Sequence, residues 1–279
     1  MNADELLKRY AAGERDFRAA QLAKVNLANC DLSEANLRRA NLRQANLRGA
    51  ILTGVNLREA ALTEANLNQA HLVLANLIGA DLTDATMLEA NLTDAGMRSV
   101  ILTRANLSHS VLEEANLNEA NFDRAVLQLA NLTNASLTRA KMLSADLSQA
   151  KLDGANLTSA IMNGAILSGA SLTNVSLSGA SLEGADLRQA DLSRARMNGA
   201  SLVNVSLIAA NLRGANLNWC SLRGANLHGA TLYRTKLFWS NLSGADLSEA
   251  VMINAKLDYT NLRHADLTGA ILPDGLTHE

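Results

Sequence analysis

The chain lacks most of what interrupts, crosslinks or thickens a fold. It has one proline, Pro273, two cysteines and eight aromatic residues among 279. No Pro-rich or Gly-rich stretch and no shift in composition marks a linker, so the length prior for two domains does not apply. Two cysteines exclude a disulfide framework. With 3% aromatics the core must be aliphatic. A formal charge of −2 argues against both a nucleic-acid binder and a polyanion mimic. No apolar run approaches the ~20 residues of a membrane span. The start, Met1 to Arg9, is charged and has no apolar leader region. These features read as a cytoplasmic chain with reduced thiols.

What is present is a period of five. From Phe17 to Leu272 every fifth residue is Leu, Met or Phe, 52 positions in all, and the residue two earlier is Ala in 40 of them. Five residues advance about 140° around an α-helix, which would spread the leucines over all sides. On a flat strand they would alternate faces. Hiding all of them requires a chain that turns by the same angle after each pentapeptide. Leu (position i) and Ala (i−2) then point inward, and i−1, i+1 and i+2 face out. Burying one Leu is worth roughly 1.5–3 kcal/mol, so the register is strongly fixed. The six internal methionines all take the i position and read as core filler. Cys30 and Cys220 take the small inward position and read as buried, unpaired thiols.

The motif Ala-(Asn/Asp)-Leu-X-X, as in Ala75–Gly79 and Ala185–Gln189, resembles the pentapeptide repeat family over residues 15–274. The resemblance implies an all-β solenoid, a right-handed quadrilateral parallel β-helix with four pentapeptides per coil. Fifty-two units would then make about 13 coils, roughly 62 Å at ~4.8 Å per layer. Arg18, Arg38 and Arg58, and likewise Trp219, Trp239 and Tyr259, recur at intervals of 20. On this register Cys30 and Cys220 lie about 45 Å apart and cannot pair.

Three segments follow. Residues 1–14 form an N-terminal capping helix over 2–12, with Asn2 and Glu5 as a capping box and Gly13 as its end. Residues 15–274 are the β-helix. Residues 275–279 are a C-terminal tail after Pro273, too short for a substantial cap, which leaves the last edge open to a second chain. Dimers in the family join at their C-terminal ends. Here only that location carries over, because no C-terminal helix follows.

Catalytic patterns are missing. There is no H-E-x-x-H, G-x-S-x-G or phosphate loop, and the five histidines are scattered. The chain reads as no enzyme, with no cofactor and no metal. An arginine-rich start (Arg15, Arg18, Arg38, Arg39, Arg43, Arg48, Arg58) is interspersed with Glu14, Asp16, Asp31, Glu34 and Glu59, and reads as a solvated face rather than a phosphate strip. The candidate interface is Trp219, Trp239 and Tyr259, at the same outward position of three successive coils, with Phe238 beside Trp239. Rings one layer apart can stack, and aromatics rimmed by polar groups favour interfaces. The alternative is that the tail after Leu272 folds back over them, or that they only stack on each other. The function expected is a non-enzymatic scaffold for a protein partner, self-associating through its C-terminal coils. The family resemblance offers a second reading, modulation of DNA gyrase or another type II topoisomerase by DNA mimicry. A duplex of this length carries roughly 36 phosphate charges at one per ~1.7 Å, which a net −2 copies poorly. Direct nucleic-acid or membrane binding is not expected.

Overall fold

The computed structural model describes residues 1–279 as two compact units, Met1–Lys141 and Met142–Glu279. The first opens with α1 (Ala3–Ala11). Asn2 caps it by accepting the Glu5 N–H at 2.9 Å. Asp4 and Glu5 in its first turn and Lys8 and Arg9 in its last complement the helix dipole. Gly13, at φ +96°, ends the turn by donating to the Tyr10 carbonyl. Leu6 is fully buried, and Tyr10 Oη donates to the Ser33 carbonyl at 3.0 Å.

The repeat begins directly after. Asp16 pairs in parallel with Asn36, Gln21 with Asn41, Asn26 with Asn46 and Asp31 with Ile51. Four pentapeptides therefore complete one coil, and the same ladder runs on to Asn121 and Lys141. Each side contributes one bridging residue rather than a longer strand. Between bridges the chain turns: the i carbonyl accepts the N–H of residue i+3, as in Ala45 to Leu42 at 3.0 Å. Residue i+2 is left-handed at every repeat from Ala19 to Gly269, with φ between 54° and 69°, as a type II turn requires.

This geometry explains the Asn and Asp at i−1. The i+1 N–H is the one backbone donor of each pentapeptide that finds no backbone acceptor. The i−1 side chain accepts it: Asn66 Oδ1 takes the Asn68 N–H at 3.0 Å, and Asp81 takes both the N–H and the hydroxyl of Thr83. Where i−1 cannot do this, the coil below substitutes. Thr86 stands at i−1 for Leu88, and the Leu88 N–H goes instead to Asn68 Oδ1 at 2.9 Å.

The second unit repeats the pattern from the Asp146–Ile166 pair to the Val251–Ile271 pair. Every i residue from Phe17 to Met252 is buried. Leu257, Leu262, Leu267 and Leu272 are only partly covered, because no further coil lies over them. The tail adds one short pairing at the end of the second unit. Residues 276–278 turn back antiparallel: Thr277 bridges Ile271, Gly269 donates to the His278 carbonyl, and His278 donates to the Ala270 carbonyl. It covers only that last side. The N–H groups of Leu257, Tyr259, Leu262, His264 and Leu267 make no backbone hydrogen bond.

Candidate functional site

Four of the seven N-terminal arginines are paired with neighbouring carboxylates. Arg18 pairs with Asp16 at 2.6 Å. Arg38, Arg39 and Arg58 converge on Glu59 at 3.5, 2.5 and 3.0 Å. The Arg39 hydrogen bond holds the Glu59 carboxyl below the ordinary carboxylate range. A shallow depression of ≈ 420 Å³ lies beside them, lined by Asp16, Arg18, Ala19, Arg38 and Arg39. Arg104 pairs with Asp84 and Arg98 with Glu119 in the same way.

The aromatic residues come together as the register requires. Trp219 and Trp239 stack with centroids 5.4 Å apart and planes 4° from parallel, and Trp239 and Tyr259 stack at 4.3 Å and 10°. The rings are 63%, 51% and 73% exposed, so the folded-back tail does not cover them. Phe238 is half-buried beside them. Neither Trp Nε1–H nor the Tyr259 hydroxyl is engaged by a neighbouring group.

Sequence reasoning missed what holds this ladder. Each ring sits at the left-handed i+2 position, and the next residue, normally Ala, is Cys220, Ser240 or Thr260. All three bond the preceding coil: Cys220 Sγ to the Met197 carbonyl, Ser240 Oγ to Leu217 and Thr260 Oγ1 to Leu237. Ser240 Oγ also accepts the Cys220 N–H at 3.3 Å. Burial pushes the Cys220 thiol up to about 12, so it acts as a structural donor rather than a nucleophile. The signal in the sequence was a run of polar residues, with Thr235, where the repeat otherwise puts Ala. Asn218 adds a further support. Lys236 at i−1 cannot accept, and Asn218 Oδ1 takes the Phe238 N–H at 3.1 Å.

A second missed feature lies on the other margin of the same side. Lys236 is bridged to Lys256, and Asn216 to Lys236. Arg234 precedes them around the corner, and both Arg213 and Arg234 lie over the Tyr233 ring, at 4.8 and 5.1 Å. An open depression of ≈ 380 Å³ is lined by Arg234, Lys236, Asn254 and Lys256.

A parallel coil of four five-residue sides, closed by type II turns and filled with Leu and Ala, defines a quadrilateral β-solenoid. The chain belongs to the pentapeptide repeat family: the model "Pentapeptide repeats" matches eight copies, at residues 16–54, 56–94, 101–139, 130–169, 140–179, 170–207, 200–237 and 235–272. Members form right-handed quadrilateral β-helices. Among solved structures, HetL, a pentapeptide repeat protein involved in heterocyst differentiation regulation in the cyanobacterium Nostoc, is 32% identical over 100% of both chains, with a TM-score of 0.47. A pentapeptide repeat protein of the Arabidopsis thaliana thylakoid lumen is 25% identical over 39% of this chain and 70% of its own, with a TM-score of 0.23. QnrB1, a plasmid-mediated fluoroquinolone resistance protein, is 16% identical over 77% of this chain and 88% of its own, with a TM-score of 0.26. No curated protein matches the chain. No helix is long and apolar enough to cross a membrane.

Proposed function

We propose that the chain is a non-enzymatic protein-interaction scaffold whose binding surface centres on Trp219, Phe238, Trp239 and Tyr259. Pentapeptide repeat proteins are generally structural or interaction proteins, and this chain's outward positions elsewhere carry no other stack of aromatic rings. The observation that carries the reading is the ring ladder. Two large indoles and a phenol are held stacked and more than half exposed, with their polar hydrogens unused. Such rigid amphipathic rings form interface hot spots. Each also occupies a backbone conformation that would suit Gly better, at φ 63°, 59° and 59°.

The same reading gives the chain ends their roles. Helix α1 serves as the cap at the start of the first unit, with its Leu6 buried. The half-covered Leu257, Leu262 and Leu267, with their unpaired N–H groups, offer an end surface on which a second copy could continue the ladder.

Light scattering and partner capture on the wild-type chain and on Trp219→Ala/Trp239→Ala test the reading. The double variant is expected to lose the captured partner or to shift from dimer to monomer while its far-UV spectrum is unchanged. A variant that keeps every association of the wild type would refute it.

A further inference from the structure

We infer that the partner presents an acidic segment to this surface, an inference that rests on the interface reading above and specifies its chemistry. Six exposed cations, Arg194, Arg196, Arg213, Arg234, Lys236 and Lys256, lie in one strip of the second unit, on and beside the side that carries the rings. None of them forms an ion pair. In the first unit seven arginines have a carboxylate within 4 Å, although Arg15, Arg43 and Arg48 do not, whereas in the second unit Arg188, paired with Asp186, is the one arginine that does. Lys236 and Lys256 stand on bridged residues of adjacent coils, an arrangement in which like charges oppose folding. A carboxylate between them would reverse the sign of that term.

The uncharged groups on this side point the same way. The side-chain oxygens of Asn216 and Asn218 are occupied by the N–H groups of Asn218 and Phe238. What remains is donors: the amide NH₂ groups, two indole N–H, the Tyr259 hydroxyl and the cations. Ring edges carry the positive end of the aromatic quadrupole, which also favours carboxylates. Asp258, next to Tyr259, is the one carboxylate on this side.

Geometry favours a peptide over a nucleic-acid strand. Centroids 5.4 and 4.3 Å apart leave no room for a base between rings, so the ladder offers edges rather than the separate ring faces on which bases stack. The cation strip spans three coil steps, about 14 Å at ~4.8 Å each, the reach of roughly four extended residues. The occupant is thus a short extended segment whose carboxylates meet the cation strip and whose apolar side chains lie against the rings.

The full-length chain supplies its own probe, because Trp219 and Trp239 are its only two tryptophans and its indole emission comes from this surface alone. Titration with a soluble peptide of alternating glutamate and leucine should give a saturable change in that emission. The glutamine counterpart should give none. Lys236→Glu/Lys256→Glu should weaken binding about tenfold or more, as expected when two charge contacts turn repulsive. Arg223→Glu/Arg263→Glu changes net charge equally on the adjacent side and should leave binding as in the wild type. No saturable change to millimolar peptide would overturn the inference. So would tighter binding of oligodeoxythymidylate than of the peptide, or equal loss in the two charge variants. If Trp219→Ala/Trp239→Ala abolished association while Lys236→Glu/Lys256→Glu left it intact, the interface reading would stand and the acidic partner would fall.

Discussion

Trp239 is the middle ring of the stack, and replacing it sets two effects of opposite sign against each other. It contacts Trp219 on one face and Tyr259 on the other. Each stacked pair is worth about 0.5–1.5 kcal/mol beyond area burial, so Trp239→Ala should cost about 1–3 kcal/mol. Its backbone is held at φ +59°. An L residue pays roughly 1–2 kcal/mol there and Gly does not, so Trp239→Gly should recover about 1 kcal/mol of the loss. Solenoids open locally, coil by coil, so a global midpoint would dilute the difference. Native-state hydrogen exchange at the Trp219 N–H, bonded to the Phe238 carbonyl, and at the Leu237 N–H, bonded to Lys256, reads it directly. Both variants should open more readily than the wild type, with Ala exceeding Gly by about fivefold, the equivalent of 1 kcal/mol. If the Gly variant opened more readily than the Ala variant, the left-handed turn would be wrong. If neither changed exchange, the rings would not be stacked in solution.

Gly224 carries φ +65°, and a Cβ there would lie 2.5 Å from Asn204 Oδ1 in the coil below. Gly224→Ala should destabilise by roughly 1–3 kcal/mol in urea unfolding, and adding Asn204→Ala should restore only the steric part. Asp153 is partly buried, which pushes its carboxyl up, but the hydroxyls of Ser171 and Thr173 and the Thr173 N–H outweigh this and hold it low. A depressed folded pKa gives stability that is present above the ordinary carboxylate value, about 3.9, and lost as pH falls through the folded one. The acid-induced loss should therefore be smaller in Asp153→Asn than in the wild type. Cys30 is half-buried and Cys220 fully buried, both raised by desolvation. Iodoacetamide should label Cys30 first, and equal rates would contradict the packing. In the core, Leu182→Ala should cost about 2–5 kcal/mol, because the coil cannot close around the void.

The backbone course was legible because one residue type recurs at one spacing, and a five-residue period admits no other regular way to bury Leu. The stacking of Trp219, Trp239 and Tyr259 followed once the period of 20 was supplied by the family resemblance. The cation strip did not follow so easily. Arg234 and Lys236 are two residues apart, yet they flank the buried Thr235 on either side of a corner, and their lack of carboxylate partners depends on residues one coil away. The Asn218–Phe238 bond escaped for the same reason, since it repairs a missing i−1 acceptor from the layer below. The tail's antiparallel pairing was not legible from its length alone. Residues 276–278 needed no core of their own, because the edge of residues 269–271 supplied ready backbone partners.

A repeat this regular separates the positions that fold the chain from those available for recognition. Leu at i, Ala at i−2 and Asn or Asp at i−1 are committed to burial, close packing and the orphan N–H. Only i+1 and i+2 are free of structural duty, and i+2 is free at an energetic penalty for anything but Gly. Where i+2 holds Gly, as at Gly164, Gly169, Gly179, Gly184 and Gly199, the backbone term is at its best and the surface is bare. Three successive coils on one side then abandon that optimum for the bulkiest side chains in the chain. The same coils place Lys at i−1, giving up the usual acceptor at positions 236 and 256. Both departures cost stability, and both fall on residues 216–259. Non-Gly residues at i+2 and non-acceptors at i−1 occur elsewhere in the chain, but only here do they set three aromatic rings in register on successive coils, so the function of the second unit is sought on that side.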